Sequence, residues 1–190
     1  IKVDCIDIDT AVKKEGLPLV DFIKLDIHGA EYEAILGAKE SLNQKCIGCL
    51  VESWSIDVHK GQKLIFDVEK ELAEEGFFKF GITQNIAWPR KKQPELKSKS
   101  QMMAEEAIYL KVCSNADELR ELGQERALKL LVTADLFNYT DYALQLVNLC
   151  SECDFVTKEE ASSLEQHIVA NNKIKFMDKF LVKAIHKLQR

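Results

Sequence analysis

Apolar positions along the first 113 residues change period repeatedly, from short continuous runs to helical spacing and back. Ile1 to Ile6 and Phe22 to Ile27 read as strands, as does the buried stretch Cys46 to Ser53, which ends at Glu52. Between them, Asp7 to Lys14 reads as a short helix broken at Gly16, Leu17 and Pro18, and Glu31 to Leu42 as a longer one with Tyr32, Ile35 and Leu42 inward. Leu64 to Glu75 spaces Ile65, Val68 and Leu72 on one helical face and stops at Gly76. Phe77 to Thr83 and Ala107 to Val112 then read as strands joined by a polar insertion, and a direct link of that kind favours antiparallel pairing. Alternation of strands with helices predicts an α/β sheet.

From Ser114 onward the alternation stops. Leu119, Leu122, Arg126, Leu130 and Thr133 mark one helix, and Tyr142, Leu146, Leu149 and Cys150 a second. Thr157 and Glu160 stand as a capping box at the start of a third, and Lys173 to Leu188 predicts a last, basic amphipathic helix with Phe176, Phe180 and Ile185 inward. The expected organisation is therefore an α/β part over 1–113 and an all-helical tail over 114–190, the tail serving packing or homo-oligomer formation.

The segment Val20-Asp21-Phe22-Ile23-Lys24-Leu25-Asp26-Ile27-His28-Gly29-Ala30-Glu31 carries the candidate chemistry. A buried strand there ends on an acid and a glycine and passes straight into a helix. In open α/β sheets, ligands bind outside the carboxyl ends of the strands. Asp26 either caps the following helix or faces that crevice. His28, with an ordinary pKa of ~6.5, is either a general base or a plain hydrogen-bonding side chain. Glu52, Trp54 and His59 follow the next strand, where an acid and an aromatic suit a hydroxylated or planar substrate, or simply anchor a surface loop. Asp26, His28 and Glu52 are taken as catalytic, and Glu31, Trp54 and His59 as substrate-binding. Asp26, His28, Glu31 and Glu52 could also supply ligands to a divalent cation, but their spacing is no diagnostic metal motif, so no metal is assigned.

The same residues resemble a known family. Asp7-Ile8-Asp9-Thr10, then Asp21 to Glu31, then Ile35-Leu36-Gly37-Ala38, is similar to the signature of the FkbM family of S-adenosylmethionine-dependent methyltransferases. These mostly modify hydroxyl groups on sugars and secondary metabolites. The family usually reads Lys-Ile-Asp-Val-Glu-Gly-Ala-Glu at this place; Lys24, Asp26, Gly29 and Glu31 agree, while His28 stands where glutamate or glutamine is common. The resemblance covers roughly 1 to 112 and is strong over the first forty residues. It implies a Rossmann-like methyltransferase sheet, S-adenosylmethionine as cofactor, and a small-molecule or glycan acceptor methylated on oxygen. The early strands, the glycine-rich cofactor turn and the ribose-binding acid of that fold are absent, since Gly16, Gly29 and Gly37 are isolated. The cofactor-binding residues are thus unknown, and the chain, which starts at Ile1 without methionine, reads as the carboxyl-terminal half of a longer enzyme, inactive alone. A non-catalytic interaction or assembly module built on the same sheet is the competing expectation.

Composition narrows the partners. A formal net charge of -5 gives no general attraction to nucleic acid or anionic membrane, and no apolar run approaches the ~20 residues of a membrane span. The six cysteines are too sparse for a secreted framework and read as reduced thiols, which favours the cytoplasm. Two C-x-x-C pairs, Cys46 with Cys49 and Cys150 with Cys153, could in principle hold zinc, but read as packing residues. The basic run Arg90 to Ser100 reads as a solvated loop or, with Trp88, as a hold for an anionic substrate.

Overall fold

Period-two alternation puts Ile23 and Leu25, Cys49 and Val51, and Ala107 and Tyr109 on one face of a sheet. The computed structural model, which describes residues 4–91 and 99–172, closes that face with helices. Its elements are α1 (Ile8–Lys14), β1 (Phe22–Leu25), α2 (Glu31–Leu36), α3 (Lys39–Gln44), β2 (Gly48–Trp54), α4 (Ile65–Glu74), β3 (Phe77–Trp88) and β4 (Gln101–Lys111). Helices α5 (Ala116–Leu122), α6 (Gln124–Leu136) and α7 (Thr140–Glu152) follow, then a helix over 158–172. The chain divides into two compact units, one ending at Val112 and the other starting at Cys113. Among the described residues, no helix is long and apolar enough to cross a membrane.

The first unit is a mixed four-stranded sheet in the order β1-β2-β4-β3. β1 and β2 are parallel, and β4 runs antiparallel to both β2 and β3, as expected for the last two strands. Ile35, Leu42, Val68 and Leu72 from the helices and Ile23, Val51, Phe77 and Tyr109 from the strands form the core. Burying a side chain of this size contributes about 1.5–3 kcal/mol, so the row fixes which face of each strand is inside. Lys24, Leu50 and Ile108 line up on the opposite face, with Glu52 opposite Glu106 one step along.

Several expectations are corrected. Residues 4–6 of the expected strand Ile1 to Ile6 are not in a strand, and residues 1–3 lie outside the described residues. The expected helix Glu31 to Leu42 is two helices, because Asp9 intervenes. Its backbone N–H donates to the Gly37 carbonyl (2.9 Å), and its carboxylate accepts from the backbone N–H of Glu40 and Ser41 (2.8 Å each). Asp9 thus caps α3 from a distant part of the chain, while Asp7 caps α1 by accepting the Thr10 N–H at 2.7 Å. A Cβ on Gly37 would stand 2.7 Å from the Asp7 Cβ, so the glycine admits this approach. Asp7, Asp9 and Gly37 therefore share one structural job.

β1 stops at Leu25, short of the expected Ile27, because the chain turns at Asp26. The hairpin strands are far longer than Phe77 to Thr83 and Ala107 to Val112. β3 continues to Trp88 and β4 begins at Gln101, through polar residues of an exposed ribbon. Residues 92–98 of the basic run lie outside the described residues, as does the expected helix Lys173 to Leu188.

In the second unit, the first expected helix breaks at Gly123, whose φ of 86° suits glycine, into α5 and α6. The capping box is present: Thr157 N–H donates to Glu160 Oε2 (2.8 Å), and Glu160 N–H to Thr157 Oγ1 (3.2 Å). The thiols behave as packing groups. Cys46 Sγ–H donates to the Gly48 carbonyl (3.2 Å) and Cys153 Sγ–H to the Ala116 carbonyl (3.3 Å). A hydrogen bond between the Cys49 and Cys46 thiols, together with burial, pushes the Cys49 thiol well up, and burial pushes Cys150 up to about 11.

Candidate functional site

The site is built where β1 and β2 end side by side. After Leu25 the chain passes through Asp26 and Ile27 into His28, whose φ is 57°, and Gly29, whose φ is 113°. Left-handed backbone is rare for a histidine and needs outside support. Glu31 supplies it. Its Oε1 accepts the Ile27 N–H at 3.0 Å and its Oε2 the Gly29 N–H at 2.8 Å. Both oxygens of this buried carboxylate are thereby engaged with the backbone. Glu31 is therefore placed as the brace of the turn, in contrast to the substrate contact expected from the sequence. The helix start at Ala30 has no side-chain cap, so the structure does not use Asp26 there either.

The turn swings the His28 imidazole back over the strand ends. Its Nδ1 lies 2.9 Å from Glu52 Oε2 and 3.6 Å from Asp26 Oδ1. Asp26 and His28 face one way through this left-handed turn. One ligand atom each from Asp26, His28 and Glu52 can be chosen so that all lie within 4.8 Å of one another. Glu52 is the buried member, with a side chain 9% exposed against 43% for Asp26 and 71% for His28. The hydrogen bond and charge of Glu52 raise the His28 pKa above its ordinary value, with smaller help from Asp26 and Glu31. The imidazolium is favoured by this setting.

Neighbours fix the remaining geometry. Lys24 Nζ lies 2.6 Å from Glu106 Oε2 and 3.4 Å from Asp26 Oδ2, tying the outer side of Asp26 to β4. Thr83 Oγ1 donates to Glu106 Oε1 at 2.7 Å. Trp54, at the end of β2, sets its ring edge-on to His28 at 6.3 Å and to Trp88 at 6.2 Å. The structure thus brings Trp54 to the cluster, as its position after the strand suggests. His59 is not part of the cluster; it lines an adjoining open cavity of about 410 Å³ with Ile27, His28, Gly29, Lys60 and Gln62.

Sequence reasoning missed Gln62, Glu106 and Thr83 as parts of this region. Gln62 Oε1 accepts the backbone N–H of Val58 and His59 (3.1 Å each), and a Cβ on Gly29 would stand 2.8 Å from Gln62 Cδ. Gly29 thus makes room for the chain's own glutamine. No local signal marks Gln62, while Glu106 could have been found only from the strand register.

An α/β unit with a braced turn and a polar cluster at its parallel strand ends agrees with one comparison. Residues 1–79 match the family model described as the methyltransferase FkbM domain. Over that stretch the chain is similar to the FkbM methyltransferase family. The match spans α1 to the start of β3, so it contains Asp26, His28, Glu31, Glu52, Trp54 and His59. No curated protein and no solved structure matches the chain significantly.

Proposed function

We propose that the chain forms the acceptor side of an S-adenosylmethionine-dependent O-methyltransferase acting on a hydroxyl of a sugar or secondary metabolite. The convergence of Asp26, His28 and Glu52 at the ends of β1 and β2 carries this reading. Methyl transfer to oxygen needs the hydroxyl held in line and its proton removed, and a cluster of two carboxylates and an imidazole serves both needs. Trp54 and Trp88 add an aromatic wall against which a sugar or planar ring can lie. His59 lies along the cavity beside His28, on the path a larger acceptor would take.

The sheet order supports a Rossmann-like methyltransferase assignment. Two parallel strands joined by a helical crossover, followed by an antiparallel strand inserted before the edge strand, is the closing half of such a sheet. Gln62 occupies the space beside Gly29, the glycine at the strand-to-helix turn, which counts against a cofactor cradle there. The 190-residue chain is therefore expected to bind S-adenosylmethionine weakly or not at all in titration calorimetry. Micromolar affinity would contradict this and place the cradle within the chain.

The reaction itself is tested in the natural protein that carries the chain. Labelled S-adenosylmethionine, offered with a panel of glycans and hydroxylated metabolites, should pass its methyl group into an alkali-stable ether. Label in an alkali-labile ester would overturn the reading in favour of methylation of a carboxylate, and no label in any acceptor would overturn it in favour of a non-catalytic module.

A further inference from the structure

We propose that Asp26, His28 and Glu52 bind one divalent transition cation through a carboxylate oxygen of each acid and Nδ1 of the imidazole. Among the described residues they are the one group of three or more such donors close enough to share an ion. Donors around a cation at about 2.1 Å stand roughly 3.0–3.4 Å apart. The distances from His28 Nδ1 to Glu52 (2.9 Å) and to Asp26 (3.6 Å) bracket that range, and all three ligand atoms lie within 4.8 Å of one another, so binding requires the carboxylates to draw in around the ion.

The free atoms fall in the right places. Lys24 takes Oδ2 of Asp26 and leaves Oδ1 toward His28. Glu52 is held in the sheet and buried, while Asp26 and His28 are open to solvent. The cation would therefore be anchored on one side and keep coordination positions free on the other. Glu31 is excluded because both of its oxygens hold the turn. Trp54, only 7% exposed and packed against His28, has its indole Nε1–H buried without an acceptor among the described residues.

Donor chemistry selects the ion. Two carboxylates and an imidazole that releases its proton as the ion binds balance a 2+ charge and offer one nitrogen, which favours Mn2+, Fe2+, Co2+ or Zn2+ over Ca2+ and Mg2+. The consequence for catalysis rests on the acceptor site proposed above: a hydroxyl on the cation becomes more acidic and loses its proton to water more easily. Cation binding is independent of that reading and is measured without any methyl transfer, so either can fail alone.

Mn2+ titrated into the metal-stripped chain should be bound one per chain with micromolar affinity, read from the loss of the free-ion resonance signal. Tryptophan emission should change in step, because Trp54 abuts His28. Glu52→Gln and His28→Ala should each weaken binding at least about 10-fold, and Asp57→Asn, on the exposed loop after β2, should leave it unchanged. Far-UV dichroism checks that Glu52→Gln still folds; His28 is exposed, so its variant tests the site even if the other does not. No binding below millimolar Mn2+, or equal binding by His28→Ala and the unaltered chain, would overturn the proposal.

Discussion

Glu31→Ala is expected to lower the unfolding free energy of the first unit by about 3 kcal/mol. The carboxylate accepts two backbone N–H groups, from Ile27 and Gly29, and is 3% exposed. Hydrogen bonds to a charged group contribute about 1.5–3 kcal/mol each, and these two are part-buried. Relief of carboxylate desolvation offsets part of the sum. Glu31→Gln keeps one acceptor oxygen and should lose only about half as much. Both tryptophans of the chain, Trp54 and Trp88, lie in the first unit, so urea unfolding followed by their fluorescence isolates it from the helical unit. A loss under about 0.5 kcal/mol for the alanine variant would show that water satisfies the two N–H groups instead. The turn would then not depend on Glu31, and neither would the position of His28.

The turn also shows what a sequence can and cannot reveal here. That a strand passes into a helix at Asp26 to Glu31 is legible, because an apolar run, an isolated glycine and helical spacing follow one another locally. That Glu31 braces the turn is legible in principle, since it reaches back only two and four residues. The break at Gly37 is different. Its cause is Asp9, whose carboxylate caps α3 across about thirty residues of sequence, and no local pattern reports such a contact. The length of the β3–β4 ribbon was hidden for a related reason. From Thr83 to Trp88 most of β3 is exposed, so no inside-outside alternation marks it.

The site follows the same division. Asp26 and His28 are neighbours along the chain and their proximity is readable. Glu52 reaches them only through the β1–β2 register that pairs Leu25 with Val51. The sequence placed an acid near the end of the next strand, but only the pairing decides that it meets an imidazole. Glu106, brought to Lys24 across β2, was out of reach altogether. Within the FkbM match, these contacts split the residues quoted for the resemblance into two groups. Asp9, Gly29, Glu31 and Gly37 shape the backbone, and Asp26 is left pointing at solvent and the cluster.

Asp26→Asn separates those roles most sharply. The substitution keeps the shape of the side chain and removes its charge. Asp26 caps no helix, and its ion pairs with Lys24 (3.4 Å) and His28 (3.6 Å) are partly exposed, where such pairs contribute about 0–1 kcal/mol. Stability should therefore change by less than about 1 kcal/mol. Turnover of the natural protein should fall by roughly 100-fold, the scale for losing a group that handles a proton or orients the reacting hydroxyl. If the charge acts by holding a cation, raising the Mn2+ concentration should restore part of the lost rate, because a weakened ligand set fills again by mass action. A general base lost from the site would not be replaced in this way. Near-normal turnover together with a large drop in melting temperature would make Asp26 a structural residue and remove it from the proposed site.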